Sequence, residues 1–192
     1  GVGRGRAPAV LGAAMSEPLS KLVIPSPVGP MQAFVSDLGL RAVLFADSDP
    51  SRNGVSGPVK TGEEIPSSHW AALDAVSMQL TEYFAGARAV FDLPLDPVGT
   101  EFQQSAWRAL RQIPFGQTRS YREQARAIGR PSAVRAIGAA NGRNPLTIVV
   151  PCHRVIGSSG TLTGFTGGLD RKRALLEHEG VLRPAQRLPF TD

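Results

Sequence analysis

The stretch Ile148-Val149-Val150-Pro151-Cys152-His153-Arg154-Val155 holds the only cysteine in the chain. The apolar, partly β-branched run Leu146–Val150 predicts a strand that delivers this cysteine. A thiol attacks as a thiolate, and a neighbouring imidazole or helix N-terminus lowers its pKa. The alternative is an inert cysteine at a strand end, because free cysteines are among the most buried residues. The stretch alone leaves both interpretations open.

Length and composition exclude several classes of protein. The 192 residues suffice for one good core or two small ones. One cysteine excludes an internal disulfide and a zinc site built from several cysteines, and it suits a reducing compartment. No apolar run approaches the roughly 18 residues of a membrane span. We therefore expect a cytoplasmic protein with no membrane partner, no metal and no cofactor.

The net charge of +5 is distributed unevenly along the chain. Residues 16–99 contain five Lys and Arg against ten Asp and Glu, whereas residues 100–183 contain thirteen against five. An arginine-rich half is typical of a protein with a polyanion partner, most often nucleic acid. A solubilising surface would carry the same charge, so charge alone leaves both explanations open.

The two ends of the chain are expected to lie outside the folded domains. Residues 1–20 are rich in Gly, Ala and Pro and predict a flexible N-terminal extension. The apolar run Ala9–Met15 is too short and interrupted for a signal peptide. Met15 is a candidate natural start, which would make residues 1–14 an upstream extension. Residues 184–192 are interpreted as a tail.

Residues 21–99 predict an N-terminal α/β domain, a small antiparallel sheet plus a helix. Short apolar segments between Pro- and Gly-containing turns indicate strands at Lys21–Ile24, Met31–Val35 and Leu40–Ala46. The polar stretch Asp47–Pro66 predicts a loop. A helix is expected to begin at a cap on Ser67 or Ser68 and to end near Ala85. Its predicted buried face holds Trp70, Leu73, Leu80 and Phe84.

Residues 100–183 predict a mainly α domain with a winged-helix-like helix-turn-helix. Thr100-Glu101-Phe102-Gln103 and Ser120-Tyr121-Arg122-Glu123 are capping boxes, each of which predicts the start of a helix. A further helix, capped by Ser132, is expected over residues 133–141 after a short turn. Helix pairs with short turns are common, so this pattern alone does not establish DNA binding.

The helix predicted over residues 133–141 is rich in Ala and Gly, and Arg135 is the only charged residue within it. Small residues let a helix backbone approach a neighbour closely, and tight core packing would explain them equally well. Core packing does not explain the arginine, because a buried guanidinium needs a partner. A narrow helix with one arginine suits entry into a groove and filling the space left by a displaced base.

Glycine-rich segments and a last helix follow the cysteine. Gly157-Ser158-Ser159-Gly160 and Gly164-Phe165-Thr166-Gly167-Gly168 predict a loop whose backbone can approach a planar ligand. An ordinary turn-rich loop would have the same composition. A final helix is expected over Asp170–Glu179, followed by Gly180.

The order of these motifs closely resembles that of the O6-alkylguanine-DNA alkyltransferases. The resemblance rests on Pro151-Cys152-His153-Arg154-Val155, on Arg135 and Asn144 before it, and on Gly164–Gly168 and Leu175–Gly180 after it. Matching residues are frequent over residues 100–180 and sparser before residue 100. The resemblance implies direct-reversal DNA repair, in which the cysteine takes the alkyl group from O6 of guanine irreversibly, once per molecule. Because the target atom lies inside the duplex, the nucleotide must be flipped out.

The resemblance implies a catalytic group around the cysteine. Cys152 would be the nucleophile, His153 the base that takes its proton through a water, and Glu179 the carboxylate that orients the imidazole. Asn144 matches the hinge asparagine that ties the recognition helix to the active-site turn. We interpret Arg154 as scaffold, paired with an acid or a carbonyl.

The resemblance also implies how DNA is held. Arg135 would replace the flipped base in the stack, and Tyr121 would rotate the nucleotide and hydrogen-bond the purine. The partner would be double-stranded DNA with O6-alkylguanine, or with O4-alkylthymine as a second lesion, bound by a monomer that can act cooperatively. The other positions expected to contact DNA or the base are Ser120, Ala136, Asn141, Val155, Phe165 and Thr166.

The chain departs from the pattern of the resemblance at two neighbouring positions. Many members have Tyr where this chain has Phe165, so a hydroxyl contact is absent. The next position is often Ser and here is Thr166, whose methyl group narrows the site. Both changes bear on which alkyl groups the pocket accepts.

Two other functions compete with alkyl transfer. An alkyltransferase-like protein would bind the lesion without repairing it, but relatives of that kind lack the cysteine that Cys152 provides. A cysteine hydrolase would use Cys152 with His153, although adjacent side chains rarely point at each other. A hydrolase would also leave the basic helix-turn-helix unexplained.

Overall fold

The computed structural model describes residues 18–183. The predicted extension therefore lies outside the described residues up to position 17, as does the whole predicted tail, residues 184–192. The first half of the chain forms a sheet of strand order β3-β2-β1-β4. Its strands are β1 Leu19–Ile24, β2 Met31–Ser36, β3 Gly39–Phe45 and β4 Val59–Lys60.

The three predicted strands are confirmed to within two residues at each end. They form the antiparallel pairs β1–β2 and β2–β3. The short strand β4 was not predicted, because it lies inside the stretch interpreted as a loop. It pairs in parallel with β1. Every residue of β2 is buried, because the sheet packs against side chains on both of its faces.

Helix α1, Ser67–Phe84, packs against this sheet. The predicted serine cap is wrong: Pro66 occupies the N-cap position, and no side chain caps the helix. Leu73, Val76, Leu80 and Tyr83 are buried, at the spacing of one helix face. Trp70 was predicted on this face but is 38% exposed. The buried face is therefore rotated away from Trp70 and includes Tyr83.

Residues 100–183 contain four α-helices and a two-stranded pair. Both predicted capping boxes are confirmed, with reciprocal bonds between Thr100 and Gln103 and between Ser120 and Glu123. The predicted cap at Ser132 is wrong, because Ala133 is the N-cap and makes no side-chain bond. The elements are α2 Glu101–Leu110, β5 Arg119–Ser120, α3 Tyr121–Ala127, α4 Val134–Gly142, β6 Val155–Ile156 and α5 Leu169–His178.

Helices α3 and α4 form the predicted helix-turn-helix, and α2 supports them from behind. Trp107 of α2 donates from its indole nitrogen to the carbonyl of Ala140, 2.9 Å away. Gln124 of α3 and Asn141 of α4 form a reciprocal pair of amide hydrogen bonds at 2.8 and 3.0 Å. Buried polar groups that are satisfied in this way fix the position of α4. The wing-like element is the parallel β5–β6 pair.

The run Leu146–Val150 forms a turn, so the predicted strand is wrong. Ile148 has a φ of 73°, a left-handed conformation that no strand residue adopts. The backbone amide of Val150 donates to the carbonyl of Leu146, which closes the turn. The turn docks on β3 through Val43, whose amide donates to Pro145 and whose carbonyl accepts from Thr147. The apolar residues that imitated a strand are buried in this turn instead.

The largest core cluster contains side chains from both halves of the chain. The sheet contributes Val43, α1 contributes Leu80, α2 contributes Leu110 and α5 contributes Leu175, around Val150 of the turn. The boundary between residues 99 and 100 stays a prediction. The turn before Cys152 is thus surrounded by structure from the whole described chain.

Candidate active site

Cys152 begins a single 3-10 turn, Cys152–Arg154, which Pro151 joins to the buried Leu146–Val150 turn. The residue is 8% exposed and lines a narrow pocket together with Asn144 and Phe165. Burial raises the pKa of the Cys152 thiol, against the hydrogen bond of Asn144 and the charge of Lys172. The thiol is therefore protonated at rest and needs an acceptor for its proton before it can attack.

His153 and Glu179 form a fully buried pair beside the cysteine. The imidazole Nε2 lies 2.8 Å from Oε1 of Glu179. Nδ1 is buried and has no hydrogen-bond partner among the described residues. Burial lowers the pKa of His153 and outweighs the opposing effect of Glu179, so the ring is neutral at pH 7. An ionised carboxylate at Nε2 places the proton there and leaves the lone pair on Nδ1.

Glu179 is the most heavily bonded side chain of the site. Arg154 donates to both carboxylate oxygens, at 2.8 and 2.9 Å, and the amide of Gly116 donates to Oε2 at 3.2 Å. Burial raises the pKa of Glu179, but the bonds from His153 and Arg154 prevail and lower it to about 2. Arg154 also donates to the carbonyl of Ile113. The predicted pairing of Arg154 with an acid or a carbonyl is confirmed, and its role as scaffold stays a prediction.

A tyrosine from the other half of the chain completes this cluster. Tyr83 of α1 donates its hydroxyl proton to Oε1 of Glu179 at 2.8 Å. Tyr83 was not predicted from the sequence. The signal that could have found it is its position three residues after Leu80 on the buried face of α1.

Asn144 holds the turn that carries the cysteine. Its side-chain amide donates to the carbonyl of Val150 at 2.7 Å, and its side-chain oxygen accepts from the amide of Leu146 at 3.0 Å. Its own carbonyl accepts from the side chain of Asn53, 3.3 Å away. Asn144 thus connects the end of α4 to the active-site turn, in the position expected of a hinge.

Tyr121 and Lys172 hold the glycine-rich loop over the pocket. The hydroxyl of Tyr121 lies 3.0 Å from the carbonyl of Thr163 and 3.1 Å from that of Gly164. The fully buried Lys172 donates from Nζ to the carbonyls of Thr163 and Val155, both at 2.6 Å. Burial lowers the pKa of Lys172 to about 8. Lys172 was not identified from the sequence, because a lysine in an Arg-rich helix predicts an exposed side chain.

Phe165 and Thr166 form one wall of the pocket. Phe165 packs edge-on against Phe45 of β3, with ring centroids 6.1 Å apart. Thr166 donates its hydroxyl proton to the carbonyl of Gly142 at 3.0 Å, which joins the loop to the end of α4. A Cβ at Gly167 would clash with the ring of Phe45, so only glycine fits there. A groove of about 640 Å³ adjoins this wall.

The residues expected to contact DNA are not all on the surface. Arg135 and Ala136 are exposed on α4. The side chain of Asn141 is buried in its pair with Gln124, so it is not available for a DNA contact and instead fixes the helix. The hydroxyl of Ser120 is engaged in the capping box.

The part of the chain from residue 18 to 183 has neither a membrane-crossing helix nor a metal-ligand cluster. No helix there combines the length and apolar character that crossing a membrane requires. No three His, Cys, Asp or Glu side chains in that range lie close enough together to hold a metal ion.

Two family models match the chain in the order of its two halves. Residues 20–97 match the ribonuclease-like domain of 6-O-methylguanine DNA methyltransferase, and residues 101–181 match the DNA binding domain of the same protein. The chain belongs to the 6-O-methylguanine DNA methyltransferase family. The resemblance inferred from the sequence is therefore confirmed, as is the fold class.

Named relatives of the family match most of the chain. The methylated-DNA–protein-cysteine methyltransferase of Mycobacterium leprae is 59% identical over 80% of this chain and 88% of its own. That of Mycolicibacterium paratuberculosis is 48% identical over 87% and 96%. A crystal structure of Mycobacterium tuberculosis OGT in complex with DNA aligns with a TM-score of 0.72 at 43% identity, covering 84% of this chain and 92% of that one.

Proposed function

We propose that this protein is a methylated-DNA–protein-cysteine methyltransferase that repairs O6-alkylguanine by direct reversal. It flips the damaged nucleotide out of duplex DNA and moves the alkyl group to Cys152. The product is a stable thioether, so each molecule acts once. Family membership and the names of the relatives support this activity. The main structural support for this activity is the position of Cys152. It lies in a pocket beside the buried His153–Glu179 pair, next to the helix-turn-helix.

The chemistry follows from the protonation states of the site. The thiol proton passes to Nδ1 of His153 through a water molecule, and Glu179 stabilises the imidazolium that forms. The thiolate attacks the alkyl carbon, so a sulfur–carbon bond forms while the carbon–O6 bond breaks. The electron pair of that bond stays on the purine, which is neutralised by a proton from solvent. Hydrogen bonds at O6 and N3, for which Tyr121 and the Thr166 backbone are candidates, stabilise the developing charge.

The second half of the chain supplies the DNA-binding surface in this proposal. Helix α4 enters a groove, Arg135 fills the space left by the flipped base, and Ala136 lies against the DNA backbone. The guanine amino group donates to the carbonyls of Cys152 and Val155. The Val155 carbonyl already accepts from Lys172, and a carbonyl oxygen has a second lone pair for the base.

The proposal also covers the lesions that are repaired, the oligomeric state of the protein and its location in the cell. O6-alkylguanine is the proposed substrate, with O4-alkylthymine as a second one. The protein acts as a monomer that can bind DNA cooperatively, in the cytoplasm, where a lone thiol stays reduced. Transfer assays with each lesion and sedimentation with and without duplex DNA test these features separately.

The deciding experiment compares wild type with Cys152→Ala on duplex DNA carrying O6-methylguanine. We expect intact-protein mass spectrometry to show one added methyl group per wild-type molecule, located on Cys152, and none on the variant. Both proteins should bind the duplex with similar affinity, because Cys152 is buried and carries no charge at rest. Lesion binding by wild type without transfer would instead indicate a non-repairing lesion sensor. Repeated turnover without modification would indicate a hydrolase.

A further inference from the structure

Tyr83 is tied to the candidate catalytic carboxylate although it belongs to the first half of the chain. Its hydroxyl donates to Oε1 of Glu179 at 2.8 Å, and the residue has no exposed surface. The same oxygen lies 2.8 Å from Nε2 of His153 and accepts from Arg154 at 2.9 Å. Tyr83 and His153 therefore share one carboxylate oxygen.

Packing alone does not explain the hydroxyl of Tyr83. Its ring lies between the side chains of Phe84, Phe91, Phe115 and His178, with centroids 4.8 to 6.0 Å away. A phenylalanine would fill this aromatic cage without the cost of burying a polar group. Burial and the charge of Glu179 raise the pKa of Tyr83. The phenol is therefore neutral and acts as a donor to the carboxylate.

We infer that Tyr83 is a positioning residue for the His153 base, and that it acts by limiting how strongly Glu179 draws the proton on Nε2. This inference rests on the proposed alkyl transfer. A hydrogen bond to an ionised carboxylate stabilises its charge and makes it a weaker acceptor for the next donor. With Tyr83 on Oε1, the imidazolium formed during transfer is stabilised less, so His153 stays neutral to lower pH and remains available as a base.

Other charged and titratable groups around the pair bear on this pH dependence. Burial has the largest influence on the pKa of His153. The charges of Glu179, Arg154 and Lys172 also influence it. A further titratable group is His178, whose Nε2 lies 2.7 Å from the backbone carbonyl of Tyr83. Of these groups, only Glu179 contacts both His153 and the Tyr83 hydroxyl.

The test is the pH profile of single-turnover methyl transfer from duplex DNA for wild type, Tyr83→Phe and Phe91→Leu. Loss of the Tyr83 hydroxyl should make Glu179 a stronger acceptor and raise the apparent pKa of the acidic limb by about half a unit to one unit. Phe91→Leu loosens the same aromatic cage without touching Glu179. It should lower the melting temperature and leave the apparent pKa in place.

A second variant keeps the test decisive if Tyr83→Phe does not fold. Site-specific 3-fluorotyrosine at position 83 preserves the shape of the ring but makes the phenol a stronger donor. It should move the apparent pKa downward, opposite to Tyr83→Phe. Profiles that superimpose on wild type, or an equal shift in Phe91→Leu, overturn the inference.

The inference and the proposed function can fail separately. If wild type transfers no methyl group at any pH, the proposed function fails. In that case the His153 pKa, followed by NMR of the imidazole, still decides the role of Tyr83. A His153 titration that is unchanged in Tyr83→Phe overturns the inference whether or not transfer occurs.

Discussion

At the scale of single residues, two buried charges in the site are held in opposite ways. Glu179 is surrounded by donors that include a guanidinium, which keeps it ionised despite burial. Among residues 18–183, the acceptors of Lys172 are backbone carbonyls alone, and burial lowers its pKa to about 8. A buried charge with a complete set of partners is stable, whereas removal of one partner leaves the other uncompensated. Glu179 therefore holds the residues next to Cys152 in place, and Lys172 holds the glycine-rich loop.

Replacing Glu179 with Gln should change how stability depends on pH. The pKa of Glu179 is about 2 in the folded protein against an ordinary 4.5, so its contribution is complete above about pH 5 and lost as pH falls towards 2. Near pH 7 the variant should lose about 3 to 5 kcal/mol of unfolding free energy, because Arg154 is left buried without its counter-charge. Urea unfolding at several pH values measures the difference between the two proteins.

The difference between wild type and Glu179→Gln should shrink steadily below pH 5. Glu177→Gln is the matched control, since Glu177 lies two residues before Glu179, in the last turn of α5, and makes no bond to Arg154 or His153. A difference that stays constant from pH 7 to pH 3 would contradict the low pKa. The same variant should transfer methyl groups more slowly than wild type, because His153 loses its orienting carboxylate.

At the scale of elements, helix α4 is fixed on its inner side and open on its outer side. The indole of Trp107 and the Gln124–Asn141 pair hold the inner side to α2 and α3. Arg135 and Ala136 remain exposed, so the helix can approach a ligand without rearranging its core. A rigid helix with one long exposed side chain suits insertion into a duplex better than a mobile loop does.

Arg135→Ala should separate base flipping from the chemical step. Without a side chain to occupy the vacated stack, transfer from duplex DNA should fall by about 100-fold, the equivalent of a few kcal/mol of unstacking. Transfer from the free O6-alkylguanine base should stay within about twofold of wild type, because no flipping is required. Single-turnover rates with the two substrates give the comparison.

The control for Arg135→Ala is Arg173→Ala, which removes one exposed positive charge from α5 instead. It should affect both substrates only slightly. If Arg135→Ala slowed the free base as much as the duplex, Arg135 would act within the pocket rather than on the flipped nucleotide.

Short sequence patterns predicted the starts of some helices correctly. They did not predict features that depend on contacts between residues far apart in the chain. The capping boxes at Thr100 and Ser120 are local hydrogen-bond patterns, and both are present. Ile148 belongs to an apolar run that imitates a strand, yet contacts with β3 hold that run in a turn. The hydrogen-bond partners of Tyr83 and Lys172 lie on other elements, so no local pattern in the chain predicted those bonds.

At the scale of the whole molecule, the acidic and basic halves share one core but carry different surfaces. Two side chains of the first half bond to the candidate site: Tyr83 donates to Glu179, and Asn53 donates to the carbonyl of Asn144. The second half has thirteen Lys and Arg between residues 100 and 183. Arg119, Arg122 and Arg126 line a groove of about 450 Å³ next to the wing-like strands. An excess of positive charge on one part of the surface orients the protein as it approaches a polyanion.

This charge distribution predicts strong salt dependence of duplex binding. Three phosphate contacts from the arginine groove would weaken binding by about 40-fold between roughly 50 and 200 mM salt, since each contact releases condensed counterions. The double variant Arg122→Gln/Arg126→Gln should reduce the slope of log affinity against log salt by about two. Lys21→Gln/Lys60→Gln removes the same charge from the acidic half and should leave the slope nearly unchanged. Fluorescence anisotropy with a labelled duplex measures all three proteins, and equal slopes for the two variants would place the phosphate contacts outside this groove.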